Sequence, residues 1–215
     1  MRTWAHAKCL ANAWALLRVT MRWQARGGVL KTIMLLGACV LAAGSVAHAA
    51  EKLDGEDYSR LSVAQLTAKA EKGDAQAQFL LGRAHAIGDG VPKDAVEAAK
   101  WYRHAAEQGN AIAQNNLGAK YAAGVGVPKD FAEAVKWWRK AAGQGLAAAQ
   151  HNLGVSYENG DGVPKDYVEA YKWANLAAAQ GNANGKKLRD GLENKMAPEQ
   201  IAEGQRLARE FKAKP

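Results

Sequence analysis

The chain has 215 residues, 48% of them hydrophobic, and a formal net charge of +8 from 29 Lys and Arg against 21 Asp and Glu. The first 49 residues hold six of the basic residues and none of the acidic ones, so the remainder carries 23 basic against 21 acidic residues, a net charge of +2. This near-neutral remainder lacks the basic surface typical of nucleic-acid binding, and we expect no nucleic-acid partner. Both cysteines, Cys9 and Cys39, also lie in the first part, which excludes disulfides, a thiolate nucleophile and Cys-ligated zinc from the rest.

Residues 1–49 are predicted to be a secretory signal peptide. Arg26 and Lys31 precede an apolar run from Thr32 to Ala47, which ends in the small-residue pattern Ala47-His48-Ala49. A charged region, an apolar region and an A-x-A site are the three parts of such a signal. The first 20 residues add nothing that the signal needs, so Met21 is the better start of translation.

Two other interpretations of this leader stay open. The first is an uncleaved transmembrane anchor, since an apolar run of about 19 residues is just long enough to span a bilayer. Cys39 after Leu36-Gly37-Ala38 also permits a lipoprotein, although the apolar stretch continues beyond the cysteine. If the leader is removed, we expect an exported protein, periplasmic or secreted, with no further membrane contact.

Residues 50–72 are predicted to form a linker and an N-terminal capping helix. Residues 51–57 are charged and contain glycine, whereas Ser62 and Gln65 have the spacing of a capping box at a helix start. Leu66 and Ala70 form a short apolar stripe along this helix. We interpret it as the second helix of a degenerate first repeat.

The centre of the chain repeats itself every 36 residues. The same residue types recur as Gly82, Gly118 and Gly154, as Pro92, Pro128 and Pro164, and as Trp101, Trp137 and Trp173. This period is typical of a solenoid, in which each unit buries its apolar face against its neighbours. We place the three units at residues 73–108, 109–144 and 145–181.

Each unit is predicted to be a pair of antiparallel helices. In the first unit, Asp74 caps a helix that ends at Gly88, because glycine accepts left-handed backbone geometry and the following Pro92 cannot continue a helix. Asp94 then caps the second helix, with Glu97 in capping-box position. The corresponding pairs of the other units are Asp130–Glu133 and Asp166–Glu169.

The tryptophan of each unit lies among alanines of the second helix. Small side chains let helices pack closely, so we interpret Trp101, Trp137 and Trp173 as the large fillers between helices. The alternative is an aromatic box for a ligand.

The repeated motifs resemble those of Sel1-like repeats, relatives of the tetratricopeptide repeat. The pattern is Ala-x-Ala-Gln-x-x-Leu-Gly, then Gly-x-Gly-Val-Pro-Lys-Asp, then Glu-Ala-x-Lys-Trp and Ala-Ala-x-Gln-Gly, over residues 75–181. The resemblance implies an all-α fold, an α/α solenoid of helical hairpins that serves as an adaptor for other proteins and is often exported in bacteria. Cysteine-rich members of the family are linked to β-lactam binding or cleavage, but they carry a disulfide in each repeat and this chain has none.

Residues 182–215 are predicted to form two C-terminal capping helices. Pro198 suits the first turn of the last helix, and Ile201, Ala208 and Phe211 lie on one side of it. Solenoids require such caps because the last repeat otherwise exposes an apolar edge.

No catalytic motif occurs after the leader. Ser-x-x-Lys, Gly-x-Ser-x-Gly and His-Glu-x-x-His are absent, and so is a phosphate-cradling loop. His85 aligns with tyrosines of the other units and is predicted to pack, while His104 is predicted to be exposed. The sequence therefore predicts no enzyme, no catalytic residue, no metal site and no cofactor, and the loop lysines Lys93, Lys129 and Lys165 are expected in solvent.

A partner site is expected on the first helix of each unit, which lines a concave groove in tetratricopeptide-like solenoids. Aligned positions that vary between the units while the core positions repeat are the candidates for an unidentified protein or peptide. They are Gln76, Phe79, Arg83 and Ile87, then Ile112, Asn115, Asn116 and Ala119, then His151, Asn152, Val155 and Asn159.

Three functions are compatible with these patterns. The first is an exported, non-enzymatic adaptor or regulator in the cell envelope. The second is a protein that binds or hydrolyses β-lactams or peptidoglycan fragments, like the cysteine-rich relatives, and the absent motifs and cysteines count against it. The third is a purely architectural role in a larger assembly of repeats.

The sequence of the leader predicts where the signal peptide is cleaved. Because the A-x-A pattern ends at Ala49, the exported protein should begin within a residue or two of that position. N-terminal sequencing of the exported chain checks this. A mature chain that starts at a lipidated Cys39, or that retains Met21, would contradict it.

Overall fold

The computed structural model describes residues 58–214, and within this range it contains helices and turns but no strand. A short 3-10 helix, Tyr58–Arg60, comes first. The α-helices of the described range are α1 Val63–Glu71, α2 Ala75–Ile87, α3 Ala95–Glu107, α4 Ala111–Ala123, α5 Phe131–Gly143, α6 Ala147–Asn159, α7 Tyr167–Ala179, α8 Ala183–Glu193 and α9 Pro198–Glu210. The predicted all-α class is confirmed. The predicted signal peptide, the start at Met21 and the linker up to residue 57 lie outside the described residues.

The helices pack in the order in which they follow along the chain. Helices α2 and α3, α4 and α5, and α6 and α7 form three successive hairpins, while α3 contacts α4 and α5 contacts α6. Helix α1 packs on α2, and both α8 and α9 pack on α7. Each hairpin is thus covered by its neighbours on either side, which confirms a solenoid with a capping element at each end of the repeats.

The predicted N-caps are present, but only one of the sequence-predicted capping boxes closes in both directions. At α1, the Ser62 hydroxyl accepts from the Gln65 N–H, and the Gln65 side chain accepts from the Ser62 N–H. At α3, the Asp94 carboxylate accepts from the N–H groups of Val96 (2.8 Å) and Glu97 (3.0 Å) without a return bond from Glu97.

The return bond is missing because its donor is already used. The N–H of Asp94 donates to the carbonyl of His85 at the end of α2 (2.9 Å), and Glu97 pairs instead with Lys100. The other two hairpins repeat both features. Their backbone bonds join Asp130 to Tyr121 and Asp166 to Tyr157, and their ion pairs are Glu133–Lys136 and Glu169–Lys172.

A buried glutamine in the first helix of each repeat joins three helices. Gln114 on α4 is 3% exposed, and its Nε2 donates to the carbonyl of Ala106 in the last turn of α3 (3.0 Å). Its Oε1 accepts from the Nε2 of Gln144, the C-cap residue of α5 (2.9 Å). The equivalent bonds are Gln78 to Ala70 (3.0 Å) with Gln108 to Gln78 (2.7 Å), and Gln150 to Ala142 (3.4 Å) with Gln180 to Gln150 (2.8 Å). We call these three pairs of glutamines the glutamine ladder.

The recurring glycine of each first helix makes room for the second helix. A Cβ at Gly118 would lie 2.6 Å from Nε1 of Trp138 and 3.0 Å from the carbonyl oxygen of Ala134. A Cβ at Gly82 would lie 2.8 Å from the ring of Tyr102. In the first two repeats, the aromatic residue that covers the glycine is therefore the one after the repeated tryptophan.

The tryptophans pack as predicted, but to different depths. Trp137 is buried, at 8% exposure, whereas Trp101 and Trp173 are half-buried and pack against the core. In the third repeat Ala174 replaces the covering aromatic residue, and Leu188 of α8 approaches Gly154 in its place. The smaller residue at position 174 leaves room for Leu188 of α8 beside Gly154.

The predicted C-terminal cap forms α8 and α9, but its last helix ends at Glu210 instead of reaching Lys212, and residues 211–214 follow without helical structure. The Tyr171 hydroxyl of α7 donates to Glu193 of α8 (2.8 Å) and accepts from Gln205 of α9 (3.4 Å). Beyond α9, the Phe211 ring contacts Trp173 edge to face, with 5.4 Å between centroids. We call residues 211–214 the C-terminal tail.

The glutamine ladder predicts a large effect from Gln114→Met. The new side chain fills the space but leaves the Ala106 carbonyl and the Gln144 amide without their partner, and an unsatisfied buried polar group costs about 1–3 kcal/mol. The free energy of unfolding, measured by urea denaturation, should fall by that amount. Gln76→Met is the control, because Gln76 makes only a 3.5 Å contact with Asn110; equal destabilisation by both changes would contradict the ladder.

The close contact between Gly118 and Trp138 predicts opposite effects for two alanine substitutions in one hairpin. Gly118→Ala should destabilise the protein by about 1–3 kcal/mol, because its Cβ overlaps the Trp138 indole and overpacking carries that cost. Gly143→Ala should be neutral or stabilising by up to about 1 kcal/mol, since nothing lies within 4 Å of the added Cβ. Thermal denaturation of both variants checks this, and a stable Gly118→Ala protein would show that the second helix does not need the close approach.

Candidate functional site

The predicted groove residues differ in how accessible they are. Phe79 is buried at 8% exposure and packs against Tyr102, with 6.1 Å between ring centroids, so it belongs to the core instead of the surface. The exposed members of the set are Arg83, Ile87, Ile112, Ala119 and Asn159. The half-buried members are Gln76, Asn115, Asn116, His151, Asn152 and Val155.

Four of the half-buried residues form one hydrogen-bonded chain across two repeats. The Nδ2 of Asn152 on α6 donates to Oδ1 of Asn115 on α4 (3.0 Å), and Nδ2 of Asn115 donates to Oδ1 of Asn116 (3.4 Å). At the other end, Nδ1 of His151 lies 3.3 Å from Oδ1 of Asn152. The structure thus brings together predicted residues that are 37 positions apart in sequence.

The chain of hydrogen bonds extends to the first repeat through Tyr102. Burial raises the pKa of the Tyr102 phenol, and this outweighs a hydrogen bond with Asn116 and the positive charge of Arg83, both of which lower it. The phenol is therefore neutral at ordinary pH. We call Arg83, Asn115, Asn116, His151 and Asn152 the asparagine strip.

The core holds the strip in place from below. Nε1 of Trp138 donates to the backbone carbonyl of Asn115 (3.2 Å), and Trp138 is the residue that covers Gly118. Helix α4 is therefore fixed against α5 at the residue where the strip passes between repeats. An asparagine amide offers two donors and two acceptor sites, and the bonds within the strip use only part of that capacity.

The strip ends beside a cavity of about 330 Å³ between α6 and α8. His151 belongs to both the strip and the cavity wall, which Asn184 and Lys187 of α8 complete on the other side. Glu158 also lines the cavity, but Lys195 pairs with it at 2.8 Å. Lys187 has no carboxylate within 4 Å in the described part of the chain, so it gives this end of the strip a net positive charge.

The cavity residues of α8 were not among the predicted groove positions. Asn184 and Lys187 lie outside the repeats, so alignment of the repeats cannot identify them. A signal did exist in the dense basic sequence Lys186-Lys187-Leu188-Arg189. Arg189 is paired with Asp190 at 2.7 Å, which leaves Lys187 as the cation at the cavity.

The remaining candidate residues lie elsewhere. His85 is half-buried and its Nδ1 is buried without a hydrogen-bond partner, which fits the predicted packing role, while His104 is exposed beside Trp101. The ammonium groups of Lys129 and Lys165 lie 4.8 Å from the ring centroids of Phe131 and Tyr167, so these two loop lysines cover aromatic rings although they are exposed.

Two kinds of site are absent from residues 58–214. No group of three or more His, Cys, Asp or Glu side chains there has an arrangement that could hold a metal ion. Over the same residues, every helix is too short or too polar to cross a membrane.

Comparison with known proteins agrees with this architecture. The family model described as Sel1 repeat matches three consecutive segments, residues 75–110, 111–146 and 147–182. The chain is similar to the crystal structure of a Sel1 repeat protein from Oxalobacter formigenes, with 45% identity, a TM-score of 0.56 and coverage of 60% of this chain and 97% of that one. No curated protein matches the chain at a significant level.

A second solved structure extends the similarity beyond the repeats. It is a protective antigen present in uropathogenic Escherichia coli strains that displays an SLR fold, with 30% identity and a TM-score of 0.54. The match covers 75% of this chain but only 42% of the antigen, so this chain spans less than half the length of that protein.

Proposed function

This chain belongs to the Sel1 repeat family, and on that premise we propose that it is a non-enzymatic adaptor that binds an extended segment of a partner protein along the asparagine strip. Sel1 repeats typically mediate protein–protein interactions, and proteins built from them are generally scaffolds without catalysis. The partner is a protein or peptide that the structure does not name, and the proposal needs no cofactor.

The observation that carries the proposal is the continuity of the strip. Successive first helices contribute half-buried amides that are already bonded to one another, so their orientation is fixed before a partner arrives. A peptide backbone presents alternating N–H and C=O groups, and each amide can donate to one and accept from another. Preorganised amides lose little conformational entropy on binding, which favours affinity.

The charges at the two ends of the strip suggest which segments fit. Arg83 lies at the end formed by the first repeat, and Lys187 lies in the cavity beyond His151. The amides between them are neutral. A segment with a polar middle and a carboxylate near each end would therefore match the strip, and the planar fork of Arg83 is suited to a carboxylate.

We further propose that the protein acts in the cell envelope, periplasmic or secreted. Support comes from the sequence of residues 1–49, which has the three parts of a signal peptide. The absence of cysteine after Cys39 means that the exported part would not depend on disulfide formation.

A peptide-display selection tests the binding site. The protein should enrich a consensus from a library of random peptides, and the triple variant Arg83→Ala, Asn115→Ala, His151→Ala should lose that enrichment. The variant should still fold, because none of the three side chains is in the buried core. Circular dichroism of the variant establishes this before selection.

A second triple variant provides the control. Arg209→Ala, Asn175→Ala and His104→Ala remove the same residue types from α9, α7 and α3, outside the strip, and should leave enrichment unchanged. If the folded strip variant enriches the same peptides as the wild type, the binding site lies elsewhere. If the wild type enriches no consensus, the adaptor proposal itself fails.

A further inference from the structure

A second cavity, of about 660 Å³, is lined in part by glutamines of the ladder and shares no residue with the asparagine strip. Its wall combines the ends of α3 and α5 with the C-terminal tail. The polar and positively charged side chains that line it include Gln108, Gln144, Arg139, Lys140, Lys212 and Lys214. We call this cavity the basic pocket.

The C-terminal tail is fixed in position and forms one side of the basic pocket. Phe211 is held against Trp173, and the N–H of Lys214 donates to the carbonyl of Gly143 at the end of α5 (2.8 Å). Ala213 between them lies close to Gly145, whose added Cβ would be 3.4 Å away. Lys212 and Lys214 are thus brought beside Arg139 and Lys140 by packing and a backbone hydrogen bond, although they are more than 70 residues apart in sequence.

Within residues 58–214, no carboxylate neutralises the four positive charges of the pocket. Arg139 donates to the Tyr157 hydroxyl (2.9 Å) and Lys140 lies over the Trp137 ring (4.2 Å), contacts that orient the cations without cancelling their charge. None of the four lies within 4 Å of a carboxylate in the described part of the chain, and no acidic side chain lines the pocket. By contrast, Lys136 on the same helix α5 is paired with Glu133.

Two local features oppose an anion here, but they are weaker. The C-terminal ends of α3 and α5 both contribute to the wall of the pocket, and each helix C-terminus carries a partial charge of about −0.5. The Lys214 N–H donates to one of the free carbonyls of α5. Four whole positive charges outweigh these two partial charges, so the pocket attracts anions.

The size and shape of the pocket select among anions. Its volume lies within the range of about 300–1,000 Å³ used for ligands of many atoms, so a single phosphate would leave most of it empty. The cations surround a cavity, whereas a membrane surface would be met by a flat or convex basic face. We propose that the basic pocket binds an acidic segment of a partner protein, through glutamate or aspartate carboxylates.

Fluorescence anisotropy with a labelled oligoglutamate peptide tests the proposal on the full-length chain. The peptide should bind at low salt and bind more weakly as salt rises, because exposed charges are screened. An oligoglutamine peptide of the same length should not bind. The variant Lys140→Gln, Lys212→Gln, Lys214→Gln should bind oligoglutamate at least about tenfold more weakly, since it removes three of the four cations.

Two further variants separate the pocket from general electrostatics and from the strip. Lys72→Gln, Lys100→Gln, Lys186→Gln removes the same charge from exposed positions outside the pocket and should retain wild-type affinity. Phe211→Ala keeps every lysine but releases the tail, and should also weaken binding. The strip variant should bind oligoglutamate normally, so the adaptor proposal and this one can fail independently.

Three results would overturn the inference. The first is no oligoglutamate binding by the wild type at low salt. The second is equal weakening by the pocket triple and its matched control, which would reduce the effect to net charge. The third is binding of phosphatidylglycerol vesicles, but not oligoglutamate, that depends on the pocket lysines, which would make the occupant a lipid surface.

Discussion

The side-chain amides of Gln78, Gln114 and Gln150 each bond two other helices at once, and this constraint sets the spacing of the whole solenoid. Each amide accepts from the C-cap glutamine of its own hairpin and donates to the last turn of the preceding helix. A buried amide that loses either partner incurs a desolvation cost, so neighbouring hairpins cannot slide or rotate independently. The buried ladder therefore also fixes how the exposed residues of neighbouring hairpins are positioned relative to one another.

Both candidate binding surfaces depend on that register. The asparagine strip is continuous only because α4 and α6 are held at a distance where Asn115 and Asn152 reach each other. The basic pocket includes Gln108, Gln114 and Gln144, so residues of the ladder also form its inner wall. The same scaffold therefore presents a neutral, hydrogen-bonding surface and a separate cationic one.

The sequence predicted the fold well because its 36-residue period repeats the signals that begin and end each helix. Asp94 and Gly88 fix the ends of helices through local backbone chemistry, and such signals can be read without tertiary contacts. The glutamines of the ladder also recur with this period, but the sequence analysis gave them no role, and only the structure shows that Gln114 and Gln144 bond each other.

Other features depend on tertiary contacts, which local sequence patterns do not predict. The return bond from Glu97 fails because the Asp94 N–H is taken by a residue of the previous helix. The sequence analysis assigned the filler role to Trp137 and did not predict that its neighbour Trp138 covers Gly118. Phe79 belongs to the core because Tyr102 lies against it. The cavity beside His151 and the basic pocket are both partly lined by segments after the last repeat. An alignment of the repeats does not include those segments and cannot identify their residues.

The central claim, that the glutamine ladder couples neighbouring helices, is tested most directly by a double-mutant cycle between Gln114 and Gln144. Each is changed to methionine alone and together, and the free energy of unfolding is measured for all four proteins. Side chains in one hydrogen-bonded network show coupling energies of about 0.5–3 kcal/mol, so the double variant should lose less stability than the two single variants added together. Additive losses would contradict the account, because they would mean that the two amides act independently.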